Sequence, residues 1–135
     1  MDISKALKIS ASGMDAQTTR LRVIAENLAN ADTTANAPSG DPYRRKVVSF
    51  ANVLDRAEGT TTVGVKKISQ EKGSFPTRFD PAHPAADENG YVKTPNVNSF
   101  IEVMDMREAQ RSYNANLQVM QVSRSMLSRT IDMLK

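Results

Sequence analysis

The placement of proline and glycine constrains this chain more than any other feature. All 6 prolines and 5 of the 6 glycines lie between residues 31 and 98, whereas 2–30 carry only Gly13 and 99–135 carry neither. These residues break helices, so two helix-competent ends flank a turn-rich middle. The spacing predicts a mainly α protein with a small β-rich insertion. Long N- and C-terminal helices form a coiled coil, with short strands and loops between them. The corresponding division is 1–35 for the N-terminal helix and turn, 36–98 for a small β/loop-rich middle domain, and 99–135 for the C-terminal helix.

In the first segment Leu7, Met14, Leu21 and Leu28 recur every seven residues, interleaved with Ile3, Ser10, Gln17 and Ile24, which is the rhythm of a helical seam. Asp2 is the expected N-cap, and the run from Asn30 through Pro38 to Gly40 ends the helix. In the last segment Ser99-Phe100-Ile101-Glu102 reads as a capping box. Val103, Met106, Gln110, Tyr113, Leu117, Met120, Arg124, Leu127, Ile131 and Leu134 then step by three and four to the end. Ala115, Val119, Val122, Met126 and Met133 fall on a different side of the same helix. Apolar material on two sides calls for neighbours on two sides. The middle offers strands at Tyr43–Phe50, Gly64–Ile68 and Tyr91–Lys93, separated by turns at Ser39–Pro42, Glu58–Thr60, Lys72–Ser74 and Asn89-Gly90.

A helix of nearly thirty residues fixes about 1–2 kcal/mol of backbone entropy per residue. A few leucines contribute about 1.5–3 kcal/mol each when fully buried. The ends therefore call for partners. One way to supply them is an intramolecular hairpin of the two helices, which leaves the second apolar side of the last helix uncovered.

The chemistry-bearing inventory is thin. With no Cys and one His, disulfides, a thiol nucleophile and multi-histidine metal sites are excluded. His83, between Pro81 and Pro84, reads as a structural loop residue, and Asp87-Glu88-Asn89-Gly90 as a solvated acidic turn without EF-hand spacing. Arg44-Arg45-Lys46 reads as a strand with a protein-facing basic patch; a nucleic-acid module would instead show salt-sensitive binding there. No phosphate-cradling loop or nucleophile elbow is present. The expectation is a non-enzyme without cofactor or metal. No apolar run reaches the length that spans a bilayer, and no cleavable secretory leader is evident.

The stretch Leu21-Arg22-Val23-Ile24-Ala25-Glu26-Asn27-Leu28-Ala29-Asn30-Ala31-Asp32-Thr33, preceded by Ser12-Gly13-Met14, resembles the N-terminal signature of bacterial flagellar rod, hook and hook-associated proteins. Pro42–Lys46, Asp80–Val92, Pro95–Asn98 and Val103–Asn116 resemble the proximal-rod branch of that axial family, so the likeness covers nearly the whole chain. It implies a structural rod subunit, exported unfolded through the flagellar type III apparatus without a cleaved signal and polymerised helically in the periplasm to carry torque. Its implied partners are copies of itself, other proximal and distal rod proteins, the hook–basal-body adaptor at the rod base and the export apparatus, with no nucleic acid. The residues then expected at assembly contacts are Leu7, Met14, Leu21, Ile24 and Leu28 on the first helix, and Tyr113, Leu117, Met120, Leu127 and Ile131 on the last. Asn27, Asn30 and Thr33 are expected to end the first helix and re-aim the chain through side-chain-to-backbone bonds. Tyr43, Arg44, Arg45, Pro81, His83 and Tyr91 are expected on loops that meet adjacent subunits. A soluble helical adaptor or secretion chaperone is the competing reading, and it requires an N-terminus that folds in isolation.

Overall fold

The computed structural model describes residues 2–135. Helix α1 spans Ile3–Ala29 and helix α2 spans Ser99–Met133. Asp2 caps α1, its carboxylate accepting from the Ser4 amide at 2.9 Å. At the other end Asn30 closes the helix, its backbone amide and its side chain both donating to the Glu26 carbonyl. Thr33 then donates its hydroxyl to the Asn30 side chain at 3.1 Å and its amide to the Asn30 carbonyl, turning the chain.

The start of α2 differs from the expected capping box. Asn98 is the cap, its side-chain oxygen accepting from the amides of Phe100 and Ile101 at 3.0 and 3.4 Å. Ser99 is the first helical residue. The Glu102 carboxylate does not turn back to the helix start, because Arg45 and Asn27 draw it inward. Asparagine reaches the same orphan amides that a serine would.

The two helices pack antiparallel along their length: Gly13 lies against Asn116, Arg20 against Glu108 and Asn27 against Glu102. Their buried line consists mostly of small or polar residues, Ser10, Ala16, Val23, Ile24 and Asn27 meeting Glu102, Ala109 and Ser123. A Cβ on Gly13 would sit 2.9 Å from the Asn116 side-chain amide nitrogen, so the glycine leaves room for that side chain, which would have to shift for a larger residue. Leu7, Met14, Leu21 and Leu28 run beside this line, half-buried. By the same register the first turn of α1 lies beside residues near 126, and α2 continues past it for about two turns.

Strands β1 (Lys46–Asp55) and β2 (Thr60–Gln70) form an antiparallel hairpin, with an irregularity between Ser49 and Phe50. Gly59 supplies the positive φ of its tip. Strands β3 (Thr77–Phe79) and β4 (Tyr91–Lys93) form a second, minimal pair. The first strand begins at Lys46, three residues later than the sequence suggests. The backbone before it is engaged elsewhere: the Tyr43 amide donates to Thr33 and the Arg45 amide to the Asn96 side chain.

The hairpin lies along α1. Lys46 at its base touches Asn27, and Asp55 at its tip touches Lys8. The strand rise over 46–55 and the helix rise over 8–27 both come to roughly 30 Å, so the two elements match in length. Helix α1 is thus the middle layer, between α2 and the hairpin.

Candidate assembly surface

Four side chains distant in sequence meet where the three layers join. Asn27 donates to the Lys46 carbonyl at 2.9 Å and to Glu102 at 3.2 Å, and its oxygen accepts from the Lys46 amide at 2.9 Å and the Tyr43 hydroxyl at 2.8 Å. All of its side-chain polar atoms are therefore used, as burial demands. Glu102, fully buried, takes the Arg45 guanidinium on its other oxygen. Arg45 also reaches Asp105 and Glu71, both at 3.4 Å. Burial opposes the Arg45 charge, but Glu102 and Glu71 together more than compensate, so the Arg45 pKa stands above the usual arginine value. Burial likewise raises the Tyr43 phenol.

These contacts correct two expectations. Asn27 does not terminate α1; it ties the helix to β1, while Asn30 and Thr33 make the turn. The basic run does not form a surface strand with a basic patch: only Lys46 belongs to β1. Arg45 is held inside, Lys46 pairs with Glu26 at 2.9 Å, and Arg44 donates to the carbonyls of Glu71 and Gly73 with its guanidinium 4.1 Å from the Phe75 ring centre. Tyr43 is engaged as described. The loop of residues 80–90 is partly internal too. The Ala85 amide donates to His83 Nδ1 at 3.0 Å, which leaves Nε2–H to donate to the Thr34 hydroxyl at 3.1 Å. His83 therefore clips this loop to the turn after α1, while Pro81 and Tyr91 remain exposed.

At the hairpin tip the contacts are of a weaker kind. Lys8 pairs with Asp55 at 2.6 Å in a partly buried contact and with Glu58 at 2.9 Å on the surface. Lys8 holds the Asp55 carboxyl below its usual value, helped by the amides of Ala57 and Glu58. Since Asp55 is more acidic folded than unfolded, its contribution is complete above the ordinary aspartate range and is lost as pH falls through the lowered value. Amide exchange at residues 56–58 is expected to accelerate over that interval, and an NMR titration of Asp55 checks the midpoint.

The remaining surface carries the apolar excess. Tyr113, Leu117 and Met120 are half-buried on the α1-facing side of α2. Leu127, Ile131 and Leu134 continue this side beyond the first turn of α1 and are exposed, Leu134 to 83%. Val119, Val122, Met126 and Met133 are exposed on the second side of the helix. At the opposite end Phe100, 74% exposed, stands beside Ile101 and Met104. Phe79 and Tyr91 form an exposed edge-to-face pair with ring centres 5.4 Å apart. Single exposed apolar residues are ordinary, but contiguous stripes on a long helix mark contact surfaces. Among the described residues there is no cluster of three metal-ligating side chains, and no helix is long and apolar enough to cross a membrane.

The sequence offered no signal for the Asn27–Tyr43–Arg45–Glu102 cluster beyond the presence of an acid in the first turn of α2. Its members lie up to 75 positions apart, and a local reading of Glu102 as a capping residue hides its long-range partner.

Comparison with known proteins agrees with this architecture. A family described as "Flagella basal body rod protein" matches residues 7–37, and one described as "Flagellar basal body rod FlgEFG protein C-terminal" matches residues 88–133. The two matches fall on α1 with its turn and on α2 with the strand before it. The flagellar basal-body rod protein FlgC of Agrobacterium fabrum is 53% identical over 133 residues, covering 98% of this chain and 96% of that protein. Its counterpart in Salmonella typhimurium is 41% identical with 97% of each chain covered, and that of Aquifex aeolicus is 40% identical over 100% of this chain and 99% of its own. With identity at these levels running from end to end, the chain belongs to the FlgC family of flagellar basal-body rod proteins.

Proposed function

We propose that the chain is a structural, non-enzymatic subunit of the proximal rod, polymerising helically through its terminal helices into a shaft that transmits torque. The observation that carries this reading is the apolar side of α2 running on through Leu127, Ile131 and Leu134, which stay 41%, 49% and 83% exposed. Heterologous contacts of this kind generate helical assemblies when the rotation does not close. In the rod, α1 and α2 wind as a coiled coil in the tube wall. Leu7, Met14, Leu21, Ile24 and Leu28 form one seam, and Tyr113, Leu117, Met120, Leu127 and Ile131 its counterpart. Residues 36–98 make up the outer unit, and Pro81 and Tyr91 meet adjacent subunits there.

The partners are copies of this chain, the other proximal and distal rod proteins, and the adaptor at the rod base. The route is export through the flagellar type III apparatus, without a cleaved signal, to the periplasmic part of the basal body. A soluble adaptor has no comparable use for so much uncovered apolar helix.

Side-chain-resolution imaging of purified basal bodies tests the reading. Residues 3–29 and 99–133 are expected in the rod wall, with Ile131 and Leu134 covered by neighbouring chains. Density that places α2 at the periphery with its end in solvent would overturn it.

A further inference from the structure

The hairpin is attached to α1 at both ends, but by contacts of opposite character. At the base, the Lys46 amide and carbonyl are both bonded to the buried Asn27 side chain, and the preceding residue, Arg45, is locked to the fully buried Glu102. At the tip the hydrogen-bonded ties to α1 are the two ion pairs of Lys8, with Asp55 and Glu58, whose side chains are 41%, 33% and 52% exposed. Pairs exposed to that degree contribute little and are screened by salt.

Along its length the seam is only partly open, and Thr60 beside the tip is buried. Solvent-open grooves of about 330 and 310 Å³ lie toward its base, beside Val47 and Phe50 and beside Ile68 and Gln70, and one of about 350 Å³ lies nearer the tip, beside Asn52 and Val63. Phe50 and its cross-strand partner Val65 each remain 37% exposed. A lone two-stranded hairpin also gains little rigidity from its own sheet.

We propose that the β1–β2 hairpin is a pivoting arm, fixed at its base by Asn27, Arg45 and Glu102 and releasable at its tip from Lys8. The pivot lies in the hub that joins both helices, so the arm changes its angle without disturbing their pairing. The use of the motion rests on the rod-subunit reading: neighbours pressing on the tip set the angle, which lets identical chains fit inequivalent positions along a shaft.

The chain has no native cysteine, so two introduced cysteines can be spin-labelled uniquely. One pair, Arg56→Cys with Ser125→Cys, reports the tip against α2; a second, Gln70→Cys with Arg107→Cys, reports the base. In the otherwise unaltered full-length protein, raising salt to about 1 M is expected to add a longer distance to the tip distribution and leave the base distribution unchanged. Lys8→Glu should do the same at low salt, and Lys8→Glu combined with Asp55→Lys should restore the short distance. A tip distance that stays single and short under both treatments overturns the proposal, as does a base distance that lengthens together with the tip. The salt series needs no charge variant, so a poorly folding Lys8→Glu protein leaves the test intact. All distances are read on the purified chain, so the result stands or falls separately from incorporation into a rod.

Discussion

Replacing Glu102 with alanine is expected to destabilise the folded chain by about 3 kcal/mol, read as a drop in the midpoint of urea denaturation at unchanged slope. Glu102 is fully buried, and its two oxygens serve Arg45 and Asn27, so its removal leaves a guanidinium only 19% exposed without its principal counter-charge. Asp105 and Glu71, each 3.4 Å from Arg45, keep the loss at the lower end of the range for a broken buried pair. The companion variant is Arg45→Met with Glu102→Met, which removes both charges and fills the space with side chains that adapt to irregular gaps. It is expected to recover most of the loss, since an apolar pair of similar volume often equals a buried ion pair. Full recovery is not expected, because Asn27 still lacks one acceptor. A loss below about 1 kcal/mol in Glu102→Ala would place the energetic centre of the junction elsewhere.

That junction was also the part of the molecule least legible in the sequence. Local chemistry announced itself: Asp2 caps α1, Asn30 closes it, and Gly59 and Gly90 take the positive φ their turns require. The two helices followed from ends that carry no Pro and a single Gly, a signal that needs no tertiary knowledge. The packing between them is a different matter. Periodicity weighs leucine above alanine, yet Ala16 and Ala109 are among the fully covered positions, and Gly13 leaves room for the Asn116 side chain of the facing helix. The leucine stripe lies alongside, half-buried. Strand β3 has three residues following Pro76 and carries no alternation to detect. Glu102 shows the general difficulty: the same acid three residues into a helix satisfies a local rule on paper and a distant arginine in space.

Ile131→Asp is expected to abolish recovery of the chain in purified basal bodies, and with it swimming of a complemented deletion strain, while changing the stability of the isolated protein by no more than about 0.5 kcal/mol. Ile131 lies on the α1-facing side of α2 but beyond the first turn of α1, and it is 49% exposed, so within the chain it packs against little. A carboxylate so near a helix C-terminus costs a few tenths of a kcal/mol through the helix dipole, which a thermal melt can bound. On the rod-subunit reading the same position is covered in the assembled rod. There the substitution loses about 1.5–3 kcal/mol of apolar burial and adds the desolvation of an unpaired charge. Every 1.4 kcal/mol is a factor of ten, so each such contact weakens roughly a hundredfold, and repetition along a polymer compounds the loss. The contrast with Ala109→Asp makes the result interpretable, because Ala109 is fully buried between the helices and its charge variant should fail already as a monomer. If Ile131→Asp assembles and swims normally, the free end of α2 has no partner in the rod, and the apolar stripe that carries the functional reading is only surface.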